Sequence, residues 1–265
     1  MNIYIEITRE FNAGELRAIL SSGQAVVLHR LAIMSKDGDW ILREDSAHTR
    51  HVLDVLAQRG AHYRFGAPLD IRWLAGGWSS HFEFRYEALR VRTDFVTRPP
   101  RIVPDRLAAM WVEFAGAETP FVGVRDLVDL KKTNREKDYA VIGELARMLA
   151  DPIDQFLASR SARDLMRLAK AHPDLVAGLV AQRPVLAMVR SGRDKLEAAL
   201  DNERRMLIRA NEARLNAYLD AAKGWASIWP AVERETAGMP LLEAHQHIVT
   251  RAERNLPFSV KEKQA

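Results

Sequence analysis

The sequence contains no cysteine, so disulfides, thiolate metal sites and a cysteine nucleophile are all excluded. That absence fits a reducing compartment. No apolar run approaches the roughly 18–20 residues needed to cross a bilayer, and no membrane association is expected. The first ten residues carry Glu6 and Glu10 and lack an apolar h-region, so they are not read as a secretory signal and the chain is expected to be cytoplasmic. A G-x-x-x-x-G-K phosphate loop is missing, which disfavours a P-loop NTPase. Gly76-Gly77-Trp78-Ser79-Ser80-His81 lacks the G-x-S-x-G spacing of a nucleophile elbow. No charge of one sign dominates: 39 Lys and Arg against 35 Asp and Glu give +4, too little by itself to argue for nucleic acid.

The composition that remains is globular. In 265 residues, 48% are hydrophobic and 28% charged, enough to bury a core in one large domain or two smaller ones. The first hundred residues read as mixed strand and helix. Ala25-Val26-Val27-Leu28 and Asp39-Trp40-Ile41-Leu42 suit short buried strands. A helix is expected over 46–60, capped by Ser46 and stopped by Gly60. Further strands are expected at 71–75, 81–86 and 89–97; in the last, Arg90, Arg92 and Asp94 share one face, and Leu89, Val91, Thr93 and Phe95 the other. From about residue 104 the spacing is helical, its longest stretch being 193–223, and the tail 261–265 is expected to fray.

Two acids stand out in Ser35-Lys36-Asp37-Gly38-Asp39-Trp40. On a strand, Asp37 and Asp39 point to one face, roughly 6.5–7 Å apart. A third carboxylate on a neighbouring strand, Asp94, could complete an oxygen cage for a hard divalent cation. The competing reading is a hairpin turn at Asp37-Gly38, with Asp94 merely paired to Arg92. Further along, Lys131, Lys132, Arg135 and Lys137 form a dense cationic turn that could hold a polyphosphate, or simply a solvated helix face.

Ser22-Gly23-Gln24-Ala25 followed by Asp37-Gly38-Asp39, then Arg92-Thr93-Asp94-Phe95, then Leu130 to Asp138, resembles the motif series of polymerase-beta-like nucleotidyltransferases. The likeness spans roughly residues 20–148 and is nearest to a bacterial branch of abortive-infection toxin-type enzymes and uncharacterised relatives. It implies an α+β fold, a small mixed sheet with flanking helices over residues 1–150, followed by an all-helical domain over 151–265. It implies Mg²⁺ or Mn²⁺ bound by Asp37, Asp39 and Asp94, and a nucleoside monophosphate moved from an NTP to a hydroxyl of RNA, protein or a small molecule. Ser22, Gly23, Ser35, Lys131, Lys132 and Arg135 would contact the nucleotide, while Asp138 could be structural. Three departures from the pattern keep an alternative open: Ser22 replaces a glycine, Gly38 replaces a bulkier residue and would loosen the strand, and Ile33-Met34 replaces basic residues. The alternative is a catalytically eroded nucleotidyltransferase fold that only binds, or a toxin–antitoxin component.

Other histidines offer less. His48 and His51 have ligand-compatible spacing but no matching acid cluster, and His245 and His247 would diverge on a helix. Trp78 and His81 could border a cleft, although packing explains Trp78 more simply.

Overall fold

The computed structural model describes residues 2–260, so the tail expected to fray lies outside the described residues. The described chain forms two compact units. One comprises the chain up to Val122 and resumes at Leu215; the other is Gly123–Arg214. The division expected at residue 150 falls within the second of these.

The first unit contains α1 (Ile3–Phe11), β1 (Ala18–Ser21), α2 (Ser22–Leu28), β2 (Asp37–Leu42), α3 (Ser46–Gln58), β3 (His62–Tyr63), α4 (Ile71–Leu74), β4 (Ser80–Tyr86), β5 (Leu89–Val96) and α5 (Pro104–Glu113). Its strands form a mixed sheet in the order β1-β2-β5-β4-β3, with β2 and β5 parallel and the other pairs antiparallel. The α+β class read from the sequence is therefore the observed one. β5 alternates as expected: Val91, Thr93 and Phe95 are buried, and Arg92 and Asp94 lie on the opposite face. The buried face packs on α1 and α3. Trp40 stacks on Phe95 with ring centroids 5.5 Å apart, and Phe11 meets Trp40 edge-on at 5.4 Å. Their indole and ring areas supply much of the core's apolar burial. The Trp40 N–H is not wasted in that core, because it donates to Thr8 Oγ1 at 2.9 Å.

Two segments expected as strands are helical. Residues 25–28 lie in α2, because a four-residue apolar run carries no period of its own and the chain turns directly after β1. Residues 71–74 form α4 because the Asp70 side chain accepts from the Arg72 N–H at 2.9 Å, an N-cap that starts a helical turn. The cap of α3 is likewise Asp45, not Ser46: its Oδ1 accepts from the N–H groups of Ala47 and His48.

Gly123–Arg214 is helical, with α6 (Val124–Leu130), α7 (Glu136–Met148), α8 (Pro152–Ala158), α9 (Ala162–Ala171), α10 (Pro173–Leu179), a 3₁₀ turn (Pro184–Met188) and the larger part of α11 (Arg193–Ala221). Its own core holds Phe156, Leu165, Leu179, Leu186, Leu196 and Leu200. The first unit is completed by α12 (Lys223–Thr236) and α13 (Leu241–Asn255), whose Trp225, Trp229 and Ile248 join the core under the sheet. No helix among the described residues is long and apolar enough to cross a membrane.

Candidate functional site

The site is built where β1 hands over to α2. Ser22 sits at φ 49°, in the left-handed region that non-glycine residues seldom occupy. Gly23 follows; a Cβ there would lie 2.2 Å from Ser35 Oγ and 3.0 Å from its Cβ, so a larger residue would have to displace the Ser35 side chain. Gln24 is 2% exposed and donates its side-chain amide to the carbonyl of Ser35 at 2.9 Å and to that of Asp37 at 3.4 Å. The Ser35 hydroxyl donates to the Asp37 carbonyl at 3.3 Å. Gln24 therefore clamps the entry of β2, with Gly23 packed against Ser35, and fixes where its first carboxylate begins.

Asp37-Gly38-Asp39 is strand, not turn. Asp37 pairs with Arg92, Gly38 with Thr93 and Asp39 with Asp94 across the parallel β2–β5 pair. Asp37 and Asp39 share the polar face, and Asp94 lies directly beside Asp39 on it. The expectation that Gly38 loosens this strand is corrected. A Cβ at Gly38 would lie 2.4 Å from Trp40 Cη2 and 2.5 Å from Tyr4 Cδ1, so those rings already fill the place of a side chain. The Tyr4 hydroxyl donates to the Lys36 carbonyl at 2.6 Å. Burial first, then the negative charges of Asp37 and Asp39, push its pKa up to about 12.

The polar face is a lattice of opposite charges. Asp37 Oδ1 is buried without a hydrogen-bond partner, with Arg92 Nη1 at 3.9 Å. Asp94 Oδ1 accepts from His81 Nδ1 at 2.7 Å and from Arg64 Nη1 at 3.3 Å, so Arg92 is not its partner. Glu83, one row along, is reached by Arg90 at 2.5 Å, His62 at 3.3 Å and Arg64 at 3.8 Å. Burial works to raise the Glu83 carboxyl, but the Arg90 hydrogen bond and the charges of Arg90 and His62 outweigh it and leave it low. A cavity of about 390 Å³ opens beside Asp37, walled by Ile3, Tyr4, Met34 and Arg92.

Among the described residues, no group of three His, Asp or Glu is arranged to hold a metal ion. The donor set at Asp37 and Asp39 nevertheless fits a hard divalent cation. Both are strand carboxylates on one face, and the buried acceptor at Asp37 Oδ1 is unsatisfied.

Lys131, Lys132 and Arg135 belong to the second unit, and each is engaged there. Lys131 and Asp138 are 7% and 6% exposed, with Nζ and Oδ1 3.7 Å apart. Asp138 Oδ2 also accepts from the Thr133 hydroxyl at 2.6 Å and Arg135 Nε at 2.9 Å. Lys132 pairs with Asp129. Asp138, expected to tie this helix to the sheet, instead binds Lys131, Thr133 and Arg135 of its own turn and is the anion around which that turn is folded.

The lone histidines behave as packing groups. His48 lies 3.3 Å from Glu15, His51 Nε2 meets the Glu10 carbonyl at 3.0 Å, and His245 Nδ1 receives the Tyr63 hydroxyl at 2.7 Å. His247 pairs with Glu235, away from His245. Trp78 is buried, 4.9 Å from the Tyr218 ring. Arg64, His81 and Glu83 were not singled out together from the sequence. One signal could have found the two on β4: a two-residue β4–β5 hairpin at Glu87-Ala88 sets Tyr86 opposite Leu89, and hence His81 opposite Asp94 and Glu83 opposite Arg92.

No protein-family model matches the chain, and no curated protein matches it. Among solved structures it is similar to a candidate nucleotidyltransferase from H. pylori, at 10% identity and TM-score 0.37, over 79% of this chain and 95% of that one. It is also similar to JHP933 from Helicobacter pylori, at 11% identity and TM-score 0.35, over 80% and 92%. Likenesses at that level carry no argument about chemistry, which rests on the geometry of the sheet face.

Proposed function

We propose that this chain is a metal-dependent nucleotidyltransferase that moves a nucleoside monophosphate from an NTP to an acceptor hydroxyl. The observation that carries the reading is the acidic row: Asp37 and Asp39 on one strand face, Asp94 in register beside Asp39, and Gln24 clamped onto the strand's entry. Asp37 and Asp39 would hold Mg²⁺ or Mn²⁺, which when bound supplies Lewis-acid stabilisation of charge on the phosphates. Ser22 and Gly23 would approach the triphosphate through backbone and hydroxyl donors, with Ser35 alongside. Asp94 would orient the acceptor.

One observation favours a second reading, binding without catalysis: Asp94 Oδ1 is already taken by His81 and Arg64. Incubating the purified protein with α-labelled NTPs, bulk tRNA and then protein acceptors separates the two. Transfer that disappears in Asp39→Ala supports the enzyme. Nucleotide binding with no transfer to any acceptor supports the binder, and transfer that persists in Asp39→Ala removes the site from the reaction.

A further inference from the structure

On the polar sheet face a hydroxyl, an imidazole and a carboxylate are joined in one line. Ser79 Oγ lies 2.8 Å from His81 Nε2, and His81 Nδ1 lies 2.7 Å from Asp94 Oδ1. A carboxylate facing Nδ1 keeps the ring proton on that nitrogen. In the neutral ring, Nε2 then turns its lone pair to the serine hydroxyl.

The surrounding fold holds this line in place. The antiparallel register sets His81 opposite Asp94. Arg64 braces the carboxylate from 3.3 Å. The Ala67 N–H donates to the Ser79 carbonyl at 3.0 Å and fixes the serine backbone. Gly66 leaves the imidazole its room, since a Cβ there would lie 2.5 Å from His81 Cδ2. His81 and Asp94 are each 25% exposed and Ser79 is half-buried, so a small electrophile can reach the hydroxyl. The neighbouring Ser80 is different: it is fully buried and donates to the Ala67 carbonyl at 2.8 Å.

We propose that Ser79 is a nucleophile activated by His81 and Asp94, and that it takes the acyl group of a small carboxylic ester. Ser79 Oγ bonds to the carbonyl carbon as its proton passes to His81 Nε2, and Asp94 stabilises the imidazolium. The ester C–O bond then breaks, and the alcohol leaves with the proton from Nε2. Water next attacks the acyl-serine and gives a proton to Nε2. The acid departs as that proton returns to Ser79 Oγ. The step needs no cation and stands apart from nucleotidyl transfer, although both use Asp94.

The test uses the full chain in EDTA with an alkyl fluorophosphonate, followed by peptide mapping. In the labelling step the Ser79 Oγ–P bond forms, the P–F bond breaks and fluoride leaves. A single adduct on Ser79 is expected, formed at least about 10²-fold more slowly in His81→Gln, the size of a lost general base. Gly66→Ala retains all three groups but displaces the ring, and should also slow labelling. p-Nitrophenyl acetate hydrolysis should fall to background in Ser79→Ala. Absence of a Ser79 adduct in the unaltered protein overturns the proposal, and so does labelling of His81→Gln at the unaltered rate. Because EDTA removes divalent cations, neither result bears on nucleotidyl transfer, whose failure would leave this assay untouched.

Discussion

Lowering the pH from 7.5 to 5.0 should destabilise the first unit through one histidine. His245 stacks on Tyr63, with planes 13° apart, and its Nδ1 receives the tyrosine hydroxyl. Burial, partly opposed by Asp70, pushes its pKa down to about 4 from an ordinary value of 6.5. The unfolded chain therefore takes up this proton near pH 6.5, whereas the folded chain resists it until near pH 4. Stability is complete above pH 6.5 and is lost as the pH falls through that window. Integrated from pH 7.5 to 5.0, the two pKa values give a loss of about 2 kcal/mol. For a unit of this size that corresponds to roughly 4–8 °C in melting temperature. Urea unfolding followed by tryptophan fluorescence at the two pH values measures it, with His245→Gln as the reference because an amide still accepts from Tyr63. An equal loss of stability in the reference and the unaltered protein between those pH values would rule out His245 as its source.

Two further perturbations probe the packing of each unit by itself. Gly38→Ala forces a methyl against Trp40 and Tyr4, an overpacking expected to cost about 1–3 kcal/mol; a thermal melt unchanged from that of the unaltered protein would show the rings free to move aside. Asp138→Ala removes the anion shared by Lys131, Arg135 and Thr133, so the second unit should lose about 3–5 kcal/mol in urea unfolding, and a loss below about 1 kcal/mol would show that buried charge is compensated elsewhere.

Much of the sheet was legible because its strands obey a simple period. β5 alternates polar and apolar residues, and Pro99-Pro100 ends it, so its span and its charged face follow from the sequence. α2 was not legible: Ala25-Val26-Val27-Leu28 suits either state, and the deciding contact, Gln24 reaching the carbonyls of Ser35 and Asp37, spans more than ten residues. α4 was missed because its cap lies one residue upstream, at Asp70. The acidic pair was visible, but whether Asp37-Gly38 is turn or strand depends on Trp40 and Tyr4 filling the space over Gly38. A three-dimensional coincidence of that kind leaves no periodic trace. The cations at 131–135 were equally visible, whereas their engagement with Asp129 and Asp138 arises only once the turn folds. The return of α12 and α13 to the first unit rests on Trp225 and Trp229, whose burial under the sheet a helical period alone does not specify.

In the proposed function Asp37 and Asp39, two residues apart on β2, would form a divalent-cation site. Titrating the purified protein with Mn²⁺ while following the free ion by electron paramagnetic resonance tests it without knowledge of substrate or acceptor. Saturable binding is expected, lost in Asp37→Ala and in Asp39→Ala, with both variants still folded by circular dichroism. Absence of saturable binding in the unaltered protein, or binding in either variant equal to that of the unaltered protein, would contradict it.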